Sequence, residues 1–238
     1  MLAQKKTHFI IFHSRHKKKT LCNIKLCLNN EIITQVLSAK FLGVVIDSRL
    51  TWSDHINIVR KKNSKGIGII CKARKLLNPS VLVTLYYSFI YPYFIYAIEC
   101  WGSACKTYIE PLFILQKRIV RIIASVSRRE HTQQLFKKYS ILTLSDLYTH
   151  RVALFMFKFD HNLLPTTFVD MFIYNTTIHQ YNTRQSTLLH LPRFKSELVK
   201  KTIKINGVKI WNTLYKRVDS NCSLLTYKSR LKRYLLSI

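Results

Sequence analysis

Carboxylates are what this sequence lacks most. In 238 residues there are 11 Asp and Glu against 39 Lys and Arg, a formal net charge of +28 with histidines neutral. The acids stand at 31, 47, 54, 99, 110, 130, 146, 160, 170, 197 and 219, with no two adjacent and no D-x-D or D-x-E. Two-metal phosphoryl or nucleotidyl transfer needs at least two carboxylates converging on the ions, and no local motif supplies such a pair. Glycine is also scarce, at five residues, and none forms a phosphate-cradling loop. Neither G-x-S-x-G nor H-E-x-x-H occurs, so no signature supports drawing a Ser/His/Asp set from the nine histidines. The six cysteines (22, 27, 71, 100, 105, 222) form no CxxC. A His13/His16/Cys22/Cys27 set fits no standard zinc spacing, and scattered thiols read as reduced, intracellular cysteines. The chain shows no signal peptide: Lys5-Lys6 lead into Phe9-Ile10-Ile11-Phe12 with no small-residue cleavage site. No internal repeat and no low-complexity tract is present.

Apolar mass and positive charge are abundant. Apolar residues make up 48% of the chain, enough for a real core. An unbalanced positive charge destabilises a compact monomer through self-repulsion unless a polyanion offsets it. Nucleic acid is the first partner this implies, and an anionic membrane surface the second. No small-molecule substrate is implied.

The pattern predicts an α+β chain, mostly α. Residues 6–12 read as a strand that begins abruptly, as if upstream partners were missing. A basic loop, 15–19, comes next. Ile24, Leu26 and Leu28 then alternate with Asn23, Lys25 and Cys27, the period of a strand. Asn29-Asn30 suits a two-residue turn, and 31–36 return as the partner strand. The run Phe41-Leu42-Gly43-Val44-Val45-Ile46 reads as a last apolar strand ending on Asp47. Helices are predicted from Ser53-Asp54 to about Leu77, over 107–124, 145–160 and 224–236. Residues 165–215 read as irregular, with short strands near 188–191 and 202–208. The expected regions are 1–50 (strands and hairpin), 51–125 (a bundle of amphipathic helices) and 126–238 (a mixed C-terminal region).

Residues 81–98, VLVTLYYSFIYPYFIYAI, are 18 residues without charge, the minimum for a membrane span. However, Thr84, Tyr87, Ser88 and Tyr91 make a polar stripe, and tyrosines lie through the middle rather than at two interfaces. Two buried helices meeting at Pro92 are expected instead.

The charge pattern also marks candidate sites. On a helical wheel Ile56, Val59, Ile67 and Ile70 share one face of the first helix, and Lys61, Lys65 and Lys72 the opposite one. In 107–124, Leu112, Leu115, Ile119, Ile122 and Ile123 face one way, and Lys117, Arg118 and Arg121 another. Ordinary surfaces intersperse both signs. Stripes with few compensating acids favour phosphate contacts, which confer affinity without sequence selectivity. Tyr86, Tyr87, Trp101 and Tyr108 offer rings for base stacking, with core packing the better-supported use. Asp47 precedes Thr51-Trp52-Ser53-Asp54, where a helix begins. With no second carboxylate placed to share a cation, turn or cap chemistry is its expected role.

KKTHFIIF, the hairpin with NN at its turn, and AKFLGVVIDSRLTWSDHI resemble the reverse transcriptases of non-LTR retrotransposons, especially the jockey and CR1-like clades. The likeness runs on through LLNPSVLVTLYYSFIYPYFIYAIECWG, LQKRIVRII, LFKKYSILTLSDLY, YNTR (181–184), LPRF and GVKIWNTL, spanning residues 5–236. The resemblance implies the C-terminal part of an RNA-directed DNA polymerase. Lys6-Thr7 match the KT of the last palm strand, residues 22–47 the primer-side hairpin and LG strand, and 54 to about 125 the thumb-like helices that hold template–primer. Residues 126–238 match a C-terminal region of unknown role. The family's catalytic aspartate pair lies upstream of the KT strand, so the chain would lack it together with the fingers and most of the palm. No RNase H domain is seen.

The resemblance therefore implies template–primer RNA or DNA as partner, with Mg²⁺ needed only by an intact polymerase. It puts Lys6 near the triphosphate or leaves it a solvated strand-end lysine. Gly43 would allow close backbone approach to the primer, or tight strand packing. Arg184 would contact phosphate or serve as a structural hydrogen-bonder. A stand-alone basic nucleic-acid-binding protein and a membrane protein anchored by 81–98 are the rival readings.

Overall fold

The computed structural model of the protein describes residues 7–13, 24–28, 31–178, 181 and 183–238. Lys6, the basic loop 15–19, His16, Cys22 and the Asn29-Asn30 turn lie outside the described residues. Two small sheets come first. β1 (His8–Phe9) runs parallel to β3 (Glu31–Gln35), and β3 pairs antiparallel with β2 (Leu26–Leu28), with Leu26 opposite Ile33 and Cys27 opposite Ile32. The strand expected over 6–12 is thus only two residues long. Phe12 is exposed, as are Ile24, Leu26 and Ile32, so the alternating pattern does not bury one face.

The apolar run 41–46 is not one strand. β4 (Ser38–Phe41) turns back on β5 (Val44–Asp47) with Phe41 opposite Val44. The two residues between them, Leu42 and Gly43, have φ of 45° and 82°. Positive φ at both central positions is what a two-residue hairpin with the native strand twist requires. The Tyr96 hydroxyl donates to the Leu42 carbonyl and caps the turn.

Asp47 closes β5 and organises the turn into the first helix. Its Oδ2 accepts from the Thr51 amide at 2.9 Å and the Thr51 hydroxyl at 3.0 Å, and its Oδ1 accepts from the Trp52 amide at 2.8 Å. The carboxylate is occupied by turn chemistry. Helix α1 (Ser53–Ala73) begins immediately after. Its N-cap is Trp52 in a left-handed conformation, without a side-chain cap, so the expected Ser53-Asp54 cap is replaced by the Asp47 clamp. The helix ends four residues before Leu77. The amides of 74–77 fold back onto carbonyls of Ile70, Lys72 and Ala73 instead.

The uncharged stretch breaks into three pieces: α2 (Pro79–Phe89), α3 (Tyr91–Ile95) and α4 (Ile98–Trp101). Asn78 caps α2 by accepting from the Val81 amide at 3.1 Å, with Pro79 at the first helical position, where no amide is needed. Leu82, Tyr86, Ile90, Phe94 and Ile98 recur every fourth residue and are all buried. Among the described residues no helix is long and apolar enough to cross a membrane.

α5 (Lys106–Ala124) packs along α1, and α6 (Gln133–Lys138) leads into α7 (Leu144–Asp160). Thr143 and Asp146 cap α7 reciprocally: the Asp146 amide donates to the Thr143 hydroxyl, which donates to the Asp146 carboxylate at 2.6 Å. A 3₁₀ segment (Thr166–Met171), α8 (Asn175–Ile178) and α9 (Glu197–Lys200) precede α10 (Val208–Leu214) and α11 (Leu224–Ser237). The strand expected near 188–191 is reduced to a single bridge, Tyr174 with Leu189. The one expected over 202–208 is a π-helical turn, Ile203–Gly207, running into α10. Its Ile-x-Ile alternation mimics a strand, but the backbone winds so that Ile205 and Val208 are buried together. One buried apolar cluster extends from Ile56 to Leu235, with α7 at its centre. The chain is mostly helical with small sheets, as the sequence predicts.

Candidate nucleic-acid interface

The wheel expectations for α1 and α5 hold. Ile56, Val59, Ile67 and Ile70 are buried, while Lys61, Lys65 and Lys72 lie on the opposite stripe, all three exposed. On α5 Leu112, Ile119, Ile122 and Ile123 are buried, Leu115 is largely covered, Arg118 is exposed, and Lys117 and Arg121 are half-buried.

Of the two basic sets, only Arg118 and Arg121 line a common cleft. The α1 stripe lies opposite the helix's buried face. A cleft of about 640 Å³ opens instead where the end of α1 meets the second half of α5. Arg74 and Lys75 enter it from the turn after α1, Arg118 and Arg121 from α5, and Arg128 from the turn after α5. Cys71, Ile114, Ile122 and Val126 form its apolar floor, and among the described residues no carboxylate lines it. The Arg121 Nε donates to the main-chain carbonyl of Glu130 at 2.8 Å, which fixes the guanidinium without neutralising it. The α5 end that carries this arginine is closed by Ser125 in a left-handed conformation, with the Val126 amide returning to the Arg121 carbonyl at 3.1 Å. Among the described residues the three Lys/Arg–carboxylate ion pairs are Arg151–Glu99, Lys200–Glu197 and Arg230–Asp219, and none involves a cation of this cleft.

Five cations around a cleft with no carboxylate in its described lining can hold oxyanions. The arginine forks suit bidentate contact with phosphate, and the apolar floor lowers local screening.

The other residues singled out by sequence sit elsewhere. Lys117 does not line the cleft; its Nζ stands 4.1 Å from the Phe113 ring centroid. Arg184 is exposed in the turn after 183. At Gly43 the close neighbour is protein: an added Cβ would lie 3.3 Å from the Tyr96 ring. Tyr86 and Trp101 are fully buried and Tyr87 and Tyr108 half-buried, so core packing claims the first two. A helical wheel carried on to Leu77 puts Arg74 on the apolar face, five turns after Ile56; α1 ends at Ala73, so Arg74 and Lys75 fall in the turn beyond it, as Arg128 falls beyond α5. The available signal was the density of cations in KARK (72–75) and RR (128–129).

Comparison with known proteins adds an independent line. The chain is 26% identical over 117 residues to a protein described as the probable RNA-directed DNA polymerase from transposon X-element of Drosophila melanogaster, covering 48% of this chain and 13% of that protein. It is 27% identical over 123 residues to the RNA-directed DNA polymerase from mobile element jockey of the same species, covering 50% and 13%. It is 30% identical over 102 residues to that species' probable RNA-directed DNA polymerase from transposon BS, covering 40% and 11%. Each match thus spans about an eighth of the relative's length. No protein-family model matches the chain, and no solved structure gives a significant match. The chain is similar to a part of these non-LTR retrotransposon polymerases, as its motifs implied.

Proposed function

We propose that this chain is a segment of a retrotransposon reverse transcriptase that grips the template–primer through phosphates, and that the catalytic aspartate pair and its magnesium ions belong to polymerase parts outside these residues. The observation that carries the reading is the acid-free cleft bearing Arg74, Lys75, Arg118, Arg121 and Arg128; the similarity to RNA-directed DNA polymerases supports it. In this reading residues 1–50 are the end of the palm, with Lys6 near the incoming triphosphate. Residues 51–125 act as the thumb-like grip. Lys61, Lys65, Lys72, Lys117 and Arg184 extend the positive field beyond the cleft and act on the polyanion at longer range.

Phosphate contacts position a duplex but carry no sequence information. Binding therefore depends on counterion release. Five phosphate contacts give a slope of log Kobs against log salt of roughly −4.5, or a loss on the order of 500-fold between about 50 and 200 mM. Fluorescence anisotropy with a short primer–template duplex measures this directly. The reading expects that loss and little discrimination among duplex sequences. An affinity independent of salt would remove phosphate neutralisation as the driving term. Extension of the primer by these 238 residues alone, with magnesium and deoxynucleotides, would contradict the division of labour.

A further inference from the structure

A second cleft, of about 360 Å³, lies between α2, α3, the start of α7 and α11. The duplex-gripping reading makes no use of it. Its wall is a tyrosine cluster. Tyr86, Tyr87 and Tyr91 have ring centroids 5.1 to 6.4 Å apart. Two of the rings are anchored through their hydroxyls: Tyr87 donates to the Ser140 carbonyl at 3.1 Å, and Tyr86 accepts from Gln116 at 3.1 Å. Tyr87 and Tyr91 are only half-buried, so ring surface remains open.

Facing the tyrosines are Lys228 and Lys232, one turn apart on α11. Like charges at this spacing repel. Burial and the neighbouring Lys228 ammonium both push the Lys232 pKa down. Among the described residues no carboxylate lines the cleft to offset the pair. The Lys232 Nζ stands 5.7 Å from the Tyr87 ring centroid, so cation and aromatic face share one space. His150 completes the lining. Its Nε2 lies 3.4 Å from the Lys228 carbonyl, which sets the proton on Nε2 and leaves the buried Nδ1 as an acceptor without a partner.

We propose that this cleft binds a single nucleotide, with the base against Tyr87 and Tyr91 and the phosphate between Lys228 and Lys232. The lining dictates the ligand class. Flat aromatic surface beside two unneutralised ammonium groups suits a molecule that is aromatic at one end and dianionic at the other. The volume lies at the lower end of the range for ligand pockets, about 300 to 1,000 Å³, which fits one nucleotide and not a duplex. Base–aromatic stacking tolerates any base, so the site takes a nucleoside monophosphate without reading the identity of its base.

Equilibrium dialysis of the full chain against AMP, adenosine and inorganic phosphate tests this. AMP is expected to bind saturably and more tightly than either adenosine or phosphate. Lys228→Ala with Lys232→Ala is expected to weaken AMP by about tenfold or more, as loss of charge-assisted bonds does, and adenosine by less than about twofold. Tyr91→Leu is expected to weaken AMP and adenosine alike, with thermal melting confirming the fold of each variant. AMP binding no tighter than phosphate would reduce the cleft to an anion site and overturn the proposal. So would unchanged AMP binding in the double lysine variant. Loss of AMP binding on Arg118→Glu would also overturn it, because that outcome puts the nucleotide in the α1/α5 cleft. Duplex binding by the double lysine variant is expected to keep its salt slope, which separates failure here from failure of the grip.

Discussion

The Gln116 side-chain amide donates to the Tyr86 hydroxyl at 3.1 Å, and both side chains are fully buried. The same amide donates to the Leu142 carbonyl at 2.9 Å, and its oxygen accepts from the Leu144 amide at 2.8 Å. One side chain on α5 therefore ties α2 and the entry to α7 together. It also joins the helix that carries Arg118 and Arg121 to the ring that backs the tyrosine cleft.

Replacing this hub leaves three buried polar groups unpaired. Gln116→Leu is expected to cost at least about 3 kcal/mol, because each buried orphan costs roughly 1–3 kcal/mol. Tyr86→Phe removes a single acceptor and is expected to cost about 1 kcal/mol. Urea unfolding of both variants checks the order. Equal losses would show that the network is not the junction described.

His150 predicts a pH dependence. His150 is 4% exposed, and burial lowers its pKa from 6.5 to about 4. The unfolded chain takes up the proton near 6.5 and the folded chain only near 4. Stability from this residue is therefore complete above 6.5 and is lost as pH falls toward 4. The full change is about 3 kcal/mol. His150→Leu is expected to flatten the stability profile over that window by this amount, read as the difference in urea midpoints between neutral and acid pH. Parallel profiles for the two proteins would contradict the assignment.

Two glycines of α1, two residues apart, are expected to answer oppositely to alanine. At Gly66 an added Cβ would lie 2.9 Å from Ile90 Cγ1 and 3.3 Å from the Phe89 carbonyl oxygen, so the Ile90 side chain or the end of α2 must give way; at Gly68 nothing lies within 4 Å. Gly68→Ala is expected to stabilise by about 0.5–1 kcal/mol through helix propensity. Gly66→Ala is expected to destabilise by about 1–3 kcal/mol through overpacking. Melting temperatures that move in the same direction would refute the close packing of α1 on α2.

The long helices are legible in the sequence because their apolar residues recur with a helical period over four turns or more, as Ile56, Val59, Ile67 and Ile70 do in α1. The hairpin at 42–43 is not. FLGVVI is apolar throughout, and nothing marks a turn except Gly43, with Leu42 taking the left-handed conformation against its preference. The π turn at 203–207 reads as a strand for a related reason: alternation over a few residues is shared by strands and by tight helical turns. Arg118 and Arg121 stand out because they lie on a regular helix. Arg74, Lys75 and Arg128 do not, because tertiary packing, not periodicity, gathers helix ends into a cleft. The tyrosine cleft needs α11 beside α2, a neighbourhood between residues more than a hundred positions apart.

The central claim is that the cleft between α1 and α5, more than the outer lysine stripe, holds the phosphates. Reversing members of each set and titrating duplex binding with salt tests it most directly. Arg74→Glu with Arg118→Glu and Arg128→Glu is predicted to flatten the slope of log Kobs against log salt by about 2.7, at about 0.9 per lost contact. Lys61→Glu with Lys65→Glu and Lys72→Glu is predicted to flatten it by less than about 1. A stripe variant that loses more slope than the cleft variant, or a cleft variant that keeps the slope of the unaltered chain, would contradict the account.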